Sequence, residues 1–265
     1  MKYKDKVVWI TGASSGIGEA LAKAYFKDGA KLILSSRRQE ALEKVKNSLE
    51  QNSNRIEILV LDLADSDSFE AKVEQAVAMF GRIDVLVNNG GISQRSLLEE
   101  TDLETIRSLM EVNFFGSAGL TRAVLPHMIA QKDGHIIVTS SVAGKFGTKY
   151  RTSYAASKHA VHGFFDSLRQ EMYDYNIAVT LLCPGPIKTD ITKNALTGDG
   201  SAFGKIGEMH VSAMDADEMV KRIWAKLAAR KEEITIAGFK ERLALALKRI
   251  SPSLLNKILK NSKVT

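Results

Sequence analysis

Short apolar runs alternate along the chain with longer segments in which apolar side chains recur every three or four residues. The first pattern is typical of buried strands and the second of amphipathic helices. It predicts strands at 6–11, 31–36, 55–61, 83–87, 134–139, 178–183 and 234–237. It predicts helices at 19–28, 39–52, 66–80, 102–132 and 154–176. This alternation favours a single-domain α/β fold, in which helices flank a doubly wound, seven-stranded parallel sheet.

Two segments stand apart from this alternation. The irregular region 187–212 holds four glycines, and a loop of this length beside the carboxyl edge of a sheet is typical of a substrate lid. The sequence therefore predicts a catalytic domain over 1–238, which includes this lid, and a basic amphipathic extension over 239–265.

The extension mixes leucine and isoleucine with seven lysines and arginines against one glutamate, which accounts for the whole net charge of +6. Such a segment can lie in a membrane interface or bind an acidic partner. Alternatively, it forms a C-terminal helix that covers the substrate pocket or a subunit contact, with its charges in water. Both interpretations stay open at this point. Nucleic-acid binding is not expected, because no aromatic platform accompanies the charge.

Composition narrows the cellular setting. The 265 residues are 45% apolar, which is ordinary for a globular protein with a substantial core. The chain has neither a run of about eighteen apolar residues nor a signal-peptide pattern at its start. The one cysteine, Cys183, follows an apolar run and is expected to pack in a buried strand, and it excludes an internal disulfide. We therefore expect a cytoplasmic protein that can make peripheral membrane contact through its extension.

The first predicted strand runs into a glycine-rich turn, Thr11-Gly12-Ala13-Ser14-Ser15-Gly16-Ile17-Gly18, and then into a helix. Glycines let a backbone approach a pyrophosphate, and the N-terminus of a helix offers unpaired N–H groups. This arrangement is typical of a dinucleotide site, although the spacing differs from the commoner Gly-x-Gly-x-x-Gly.

The end of the second predicted strand indicates which dinucleotide is bound. In NAD sites an acidic residue near this point binds the ribose hydroxyls, whereas an arginine accommodates the 2′-phosphate of NADP. Ser36 stands where the acid is expected, and Arg37 and Arg38 follow it. The pattern favours NADP(H) over NAD(H), unless these charges only begin the next helix.

Several residues suited to ligand binding lie just past the predicted strand ends. In a parallel sheet, these ends meet at one edge, where ligands bind. The residues are Gly12, Arg37, Asp62, Asn88, Ser141 and Pro184.

Tyr154 and Lys158 stand four residues apart on a predicted helix and therefore share one face. An ammonium beside a phenol lowers the phenol pKa from about 10 and prepares it for acid–base chemistry. A chain with six tyrosines can contain such a pair by chance. The other motifs therefore decide its meaning.

Together, these motifs resemble the short-chain dehydrogenase/reductase family over about 6–237. They are Thr11-Gly12-x-x-x-Gly16-x-Gly18, Asp62, Asn88-Asn89-Gly90-Gly91, Asn113, Ser141, Tyr154-x-x-x-Lys158 and Pro184-Gly185-x-Ile187-x-Thr189. Gly90 departs from the alanine usual in the family, without the loss of a chemical group. The segment 89–95 and the basic extension resemble the branch that contains dehydrogenase/reductase member 7 and the 11β-hydroxysteroid dehydrogenases.

The resemblance implies a Rossmann fold and a catalytic set of Asn113, Ser141, Tyr154 and Lys158. It implies adenine contact by Asp62, a contact of Asn88 on the adenosine side, and carboxamide contacts by Ile187 and Thr189. The full cofactor set it implies is Gly12, Ser14, Ser15, Gly16, Ile17, Gly18, Arg37, Arg38, Asp62, Leu63, Asn89, Gly90, Tyr154, Lys158, Pro184, Gly185, Ile187 and Thr189. No metal is required, and His159 and His162 are expected to be surface or packing residues.

The resulting prediction is an NADP(H)-dependent enzyme that interconverts a ketone or aldehyde and an alcohol on a fairly apolar small molecule. The resemblance also implies a homodimer or homotetramer, formed through the helices near 102–132 and 154–176. One alternative is a 3-oxoacyl-carrier-protein reductase, whose basic extension would meet an acidic carrier. Another is a cofactor-binding scaffold or redox sensor without turnover.

Overall fold

The computed structural model describes residues 1–49, 54–205 and 213–260. Its strands are β1 (Val7–Thr11), β2 (Lys31–Ser35), β3 (Ile56–Ile58), β4 (Val85–Asn88), β5 (Gly134–Thr139), β6 (Ile177–Pro184), β7 (Ile187–Lys188), β8 (Met214–Asp215) and β9 (Glu233–Ile236). Its α-helices are α1 (Gly16–Lys27), α2 (Gln39–Leu49), α3 (Phe69–Phe80), α4 (Leu103–Met110), α5 (Gly116–Gln131), α6 (Thr152–Glu171), α7 (Ala216–Ala228), α8 (Phe239–Ile250) and α9 (Pro252–Lys260).

Seven strands form one parallel sheet in the order β3-β2-β1-β4-β5-β6-β9. The direction of winding reverses between β1 and β4. In a doubly wound sheet, this reversal opens a crevice at the carboxyl ends of the strands, where ligands bind. The predicted single-domain Rossmann fold with a seven-stranded parallel sheet is confirmed.

The hydrophobic core lies on both faces of this sheet. In β1 successive side chains point to opposite faces, so Val8 and Ile10 pack on one side while Val7 and Trp9 pack on the other. The Trp9 indole N–H donates to Ser35 Oγ on β2 over 2.8 Å, which satisfies its polar atom inside the core. This double burial holds the strand that leads into the glycine turn.

Several predicted boundaries move. The predicted helix over 154–176 ends at Glu171 and is followed by a 3-10 turn, Tyr173–Tyr175. The predicted strand over 55–61 is reduced to Ile56–Ile58, and α1 begins at Gly16 rather than at residue 19. Helix α7 was not predicted at all. The predicted lid, 187–212, begins with β7, which pairs with β8 just after the end of the lid. Residues 206–212 of the lid lie outside the described residues.

The predicted helix over 102–132 contains a π-helical turn, Glu111–Phe115, between α4 and α5. Asn113 lies at the centre of this turn and is buried. Such turns widen a helix by one residue and often occur at functional sites. Here the turn determines the direction of the Asn113 side chain.

The extension after residue 238 folds into α8 and α9, which pack against each other as a helical hairpin. Lys149 Nζ donates to the carbonyl oxygen of Lys260 over 3.2 Å and ties the end of the hairpin to the loop before α6. Across the described ranges, no helix is long and apolar enough to span a bilayer. The predicted residues 261–265 of the extension lie outside the described residues.

Candidate active site

A cleft of about 1360 Å³ lies at the carboxyl edge of the sheet. It brings together most of the residues singled out in the sequence. Those lining it are Gly12, Ser14, Ser15, Gly16, Ile17, Arg37, Arg38, Asp62, Leu63, Asn89, Gly90, Ser141, Tyr154, Lys158, Pro184, Gly185, Ile187 and Thr189. Gly18 and Asn113 are not in its lining; they are buried next to it.

The glycine turn forms one end of the cleft. Gly12 and Gly16 have φ values of +63° and +58°, in the left-handed region that favours glycine. A Cβ atom on Gly16 would lie 2.7 Å from Thr189 Cγ2, and one on Gly18 would lie 2.2 Å from the carbonyl oxygen of Gly12. The turn therefore fits closely between its neighbours, and the first N–H groups of α1 lie beside the cleft, as phosphate binding requires.

The two arginines after β2 extend this end of the cleft. Both Arg37 and Arg38 are exposed and line the cleft. Ser36, whose side chain is short and neutral, directly follows β2. Its Oγ accepts a hydrogen bond from the backbone N–H of Arg38 over 3.3 Å. Cations and backbone donors together fit a ligand that carries several phosphates.

Tyr154 lies near the start of α6 and is buried, with only 6% of its surface exposed. Burial raises the pKa of the Tyr154 phenol above its ordinary value, while the Arg151 guanidinium and the Ser141 hydroxyl oppose the rise. From the sequence, the neighbouring lysine alone predicts a lowered pKa for Tyr154, because the pattern does not show that the phenol is shielded from water. The expectation of a lowered Tyr154 pKa was wrong.

Lys158 lies one turn further along α6 and is also buried. Its Nζ donates to the carbonyl oxygen of Thr139 over 2.8 Å and lies 5.9 Å from the centroid of the Tyr154 ring. Burial lowers the pKa of Lys158 to about 8. The ammonium therefore sits close to the phenol and can lose its proton within an accessible pH range.

Asn113 is buried behind the cleft wall, and both ends of its amide form hydrogen bonds. Its Oδ1 accepts from the N–H of Ile92 over 2.8 Å, and its Nδ2 donates to the Ile92 carbonyl and to Ser157 Oγ over 2.9 and 3.0 Å. A Cβ atom on Gly91 would lie 2.9 Å from Asn113 Oδ1 and 3.6 Å from Lys158 Nζ. Asn113 Oδ1 and Lys158 Nζ therefore both lie close to Gly91, which has no side chain.

The two serines after β5 have different partners. Ser141 Oγ accepts from the N–H of Ala143 over 3.1 Å and lines the cleft near Tyr154. Ser140 is also in the lining, but it is buried, and its Oγ donates to the carbonyl oxygen of Lys158 over 3.4 Å. Ser141 therefore has the position expected of a group that touches substrate, whereas Ser140 supports the helix.

The expectation that Asn88 contacts the adenosine side does not match the structure. Asn88 is buried at the end of β4, and its Nδ2 donates to Thr121 Oγ1 over 2.8 Å. Asn89 lines the cleft instead, and its Nδ2 donates to the carbonyl oxygens of Thr11 and Gly12. Successive side chains alternate in direction, so a shift of one residue decides which asparagine reaches the site.

Gln94 lies in the segment 89–95 that carries the resemblance, but the sequence predicts no role for it. It is fully buried, and its Oε1 accepts from the N–H groups of Ser153 and Tyr154 over 2.8 and 3.3 Å. Its Nε2 donates to the hydroxyls of Ser96 and Thr101. It therefore caps the first turn of α6, which carries Tyr154. No local signal marks it, because its partners on α6 lie 59 and 60 residues away.

Gln94→Ala is expected to lower the free energy of unfolding by about 1–3 kcal/mol, because it leaves buried partners unpaired. It should also lower kcat, because the first turn of α6 loses its anchor. Gln131→Ala is the matched control, since that amide also joins distant backbone groups but lies at the opposite edge of the sheet. Thermal melting and turnover measured on both variants should separate them. Equal kcat values for Gln94→Ala and Gln131→Ala would show that Gln94 does not position Tyr154.

Three groups able to bind a metal meet beside α6. His162 Nε2 lies 3.6 Å from Cys183 Sγ, and the Glu233 carboxylate brings a third donor within 4.8 Å. Lys145 Nζ already pairs with Glu233 over 2.5 Å, and burial raises the pKa of Cys183 to about 12. Cys183 is buried in β6, as the sequence predicts, and it faces His162.

The α8–α9 hairpin also lines the cleft. It contributes the apolar side chains Leu243, Leu247, Leu255, Ile258 and Leu259, together with Lys240 and Glu241. Of the two interpretations of the extension, the one in which a C-terminal helix borders the substrate pocket agrees with this placement.

The chain also matches known proteins in sequence. Residues 6–200 match the family model for the short chain dehydrogenases. A Drosophila melanogaster protein, dehydrogenase/reductase SDR family protein 7-like, is 41% identical over 253 residues, which cover 94% of this chain and 78% of that protein.

Solved structures agree with this match. A metagenomic short-chain oxidoreductase in complex with NADP is 30% identical, has a TM-score of 0.74, and is matched over 89% of this chain and 99% of that one. A Burkholderia phymatum short-chain dehydrogenase/reductase in complex with NAD is 24% identical, with a TM-score of 0.82 over 96% of both chains, which shows the shared fold. The chain therefore belongs to the short-chain dehydrogenase/reductase family of oxidoreductases, in the branch of the SDR family 7 proteins.

Proposed function

We propose that this oxidoreductase uses NADP(H) to interconvert a ketone or aldehyde and an alcohol on a fairly apolar substrate. The observation that carries the proposal is the placement of Tyr154 and Lys158. Both are buried in the lining of one cleft, which also contains the glycine turn, two arginines and apolar side chains of the α8–α9 hairpin. This arrangement supports a role for Tyr154 as a proton donor to an apolar substrate beside a dinucleotide.

The residues of the nucleotide end fit NADP(H). The turn at Gly12 to Gly16 and the N-terminus of α1 would hold the diphosphate, and Arg37 and Arg38 would hold the 2′-phosphate. Asp62 and Leu63 would meet the adenine, and Ile187 and Thr189 the carboxamide. When bound, the cofactor supplies the hydride in reduction and accepts it in oxidation.

The protein's own part of the reaction is a proton transfer. In reduction, Tyr154 would donate its proton to the carbonyl oxygen as the carbon takes up the hydride, and in oxidation it would take the proton back. Lys158 would stabilise the phenolate left on Tyr154. Ser141 would hold the reacting oxygen and stabilise charge that develops there. Asn113 would position a water in the proton path to Lys158.

Arg37→Ala tests the choice of nucleotide. Wild type is expected to bind NADPH more tightly than NADH, and the variant should bind NADPH about 10- to 100-fold more weakly, because it loses a charge-assisted contact. Its affinity for NADH should be unchanged. Nicotinamide fluorescence titrations with both nucleotides measure this directly.

Arg122→Ala is the matched control for this titration, because Arg122 is an exposed arginine on α5 that pairs with Glu70 outside the cleft. Equal affinity of wild type for both nucleotides would contradict the NADP(H) assignment. Failure to bind either would favour a non-catalytic role instead.

We also propose that the protein forms a homodimer or homotetramer through α5, α6 and the π turn. Exposed aromatic side chains support this contact: Phe115 is half exposed at the end of the turn, and Phe164 is exposed on α6. Phe114 links them by edge-to-face contacts, with ring centroids 5.0 Å from Phe115 and 5.8 Å from Phe164. An apolar patch of this kind is typical of an interface.

A further inference from the structure

His162, Cys183 and Glu233 bring three metal-binding side chains together outside the lining of the cleft. They come from three elements: α6, β6 and β9, the strand at the edge of the sheet. Cys183 lies opposite Thr235 in the register of β6 and β9, and Glu233 shares a face with Thr235 because it lies two residues earlier. Helix α6 packs on this face and adds His162. The assembled sheet and helix, rather than the local sequence, therefore create the group.

The separation of His162 and Cys183 already suits a tetrahedral metal ion. Zinc lies about 2.3 Å from sulfur and about 2.0–2.1 Å from nitrogen, so two such ligands at the tetrahedral angle are about 3.5 Å apart. His162 Nε2 and Cys183 Sγ are 3.6 Å apart. All three donor atoms lie within 4.8 Å of one another, and the Glu233 side chain is 44% exposed. A rotation of that side chain would therefore complete the site.

The protonation states of His162 and Cys183 limit what this group can do. Burial lowers the pKa of His162, so its imidazole is neutral at neutral pH and keeps a lone pair for a metal. Burial raises the pKa of Cys183 to about 12, so the thiol does not act as a free nucleophile. A divalent cation beside the sulfur displaces the thiol proton to solvent and binds the thiolate. The group therefore suits metal binding rather than nucleophilic chemistry.

A positive charge already occupies one side of this group. Lys145 Nζ pairs with the Glu233 carboxylate over 2.5 Å, and the Lys145 side chain is only 23% exposed. If a divalent cation replaces this ammonium and the proton of Cys183, two unit charges leave as two arrive. The total charge of the group is then unchanged. The metal therefore adds no uncompensated charge to a partly buried place, which would otherwise be costly.

We propose that His162, Cys183 and Glu233 bind Zn²⁺. The metal displaces the Lys145 ammonium from the Glu233 carboxylate and enters from the solvent on the exposed side of Glu233, where a water would take the fourth position. Thiolate and imidazole ligands favour zinc, whereas Mg²⁺ and Ca²⁺ prefer oxygen ligands and would find one carboxylate here.

The position of the site gives bound zinc a structural role. The metal would join α6, which carries Tyr154 and Lys158, to β6 and to the edge strand β9. Pro184, the residue after Cys183, lines the cleft. Zinc would therefore fasten elements that form the active site without taking part in the proton transfer. The zinc proposal does not depend on the proposed function.

The test is calorimetric titration of the full chain, without a histidine tag, with zinc chloride alone under reducing conditions. Zn²⁺ at about 100 times its Kd should raise the Tm by about 5–10 °C, because the metal binds the folded chain. Mg²⁺ at the same concentration should leave the Tm unchanged. Co²⁺ should give a thiolate charge-transfer band, which can be assigned to Cys183 because the 265 residues contain one cysteine.

Paired variants locate the ligands. Glu233→Gln, His162→Gln and Cys183→Ser should each lower the affinity for Zn²⁺ at least about tenfold, and Cys183→Ser should also abolish the cobalt band. Glu232→Gln and His159→Gln are the matched controls, because both residues are exposed neighbours on the same elements and outside the group. Both controls should bind Zn²⁺ like wild type. Thermal melting without metal shows whether each variant folds, and the exposed Glu233 keeps the test decisive if Cys183→Ser does not.

Lys145→Ala separates a zinc site from an ion pair that only supports the fold. Removal of the competing ammonium should raise the affinity for Zn²⁺ about tenfold, opposite in sign to the ligand variants. Lys226→Ala, on the exposed face of α7, should leave it unchanged. Three outcomes would overturn the proposal: wild type does not bind Zn²⁺, ligand and control variants bind it equally, or Co²⁺ binds without a thiolate band. A Lys145→Ala variant that binds no more tightly than wild type would overturn the displacement of Lys145.

Discussion

Tyr154→Phe is expected to lower kcat for carbonyl reduction by about 10²–10⁴-fold, the usual contribution of a positioned general acid. The substitution removes one hydroxyl and keeps the ring, so the buried packing around α6 stays intact. Nucleotide affinity should therefore remain nearly unchanged. Turnover with a small apolar ketone and NADPH, together with fluorescence titration of the same samples, measures both quantities.

The control for this variant is Tyr150→Phe. Tyr150→Phe removes the same hydroxyl four residues before Tyr154, in the turn that precedes α6, but Tyr150 is 38% exposed and is not in the cleft lining. It should retain wild-type kcat. If Tyr154→Phe turned over as fast as wild type, the proposed proton transfer would have to use another group. If both variants lost activity equally, the loss would not be specific to Tyr154.

Carbonyl reduction should slow as the pH rises through about 8, the pKa to which burial lowers Lys158. Below this pH the side chain is charged and stabilises the phenolate that forms on Tyr154. Above it the charge is lost, and this stabilisation is lost with it. The raised pKa of Tyr154 keeps the phenol protonated over the same range. The fall therefore reports on the lysine.

Lys158→Met tests this origin, because it keeps the length of the side chain and removes the charge. Its kcat should be no higher than that of wild type at high pH, and its profile should be flat around pH 8. Lys226→Met, on the exposed face of α7, should keep the wild-type profile. If Lys158→Met still showed the same fall in kcat around pH 8, the titrating group would be a residue other than Lys158.

Local patterns predict the fold well because the sheet is buried on both faces. Strand β1 is entirely apolar except for Thr11, and it leads directly into glycines whose positive φ values the turn requires. These features depend on near neighbours in the chain. The glycine turn at the edge of the sheet could therefore be located from the sequence, and so could the polar residues at the ends of β2 and β5.

Distant contacts account for what the sequence did not predict. Gln94 caps α6 only because the fold brings it beside Ser153, and the choice of Asn89 over Asn88 depends on the direction of one side chain at the end of β4. The direction of the Tyr154 pKa likewise follows from burial by the assembled fold, against which the effect of nearby cations is smaller.

The π turn that holds Asn113 makes the site sensitive to the length of the chain as well as to its composition. A π turn holds one residue more than the α turn it replaces. Deleting one residue of Glu111–Phe115 other than Asn113 would let α4 and α5 join as one regular helix, rotated by about 100° relative to each other. Every side chain assigned to catalysis could be kept, and the Asn113 amide would still lose its bonds to Ile92 and Ser157. In this helix, a one-residue deletion amounts to a mutation of the active site.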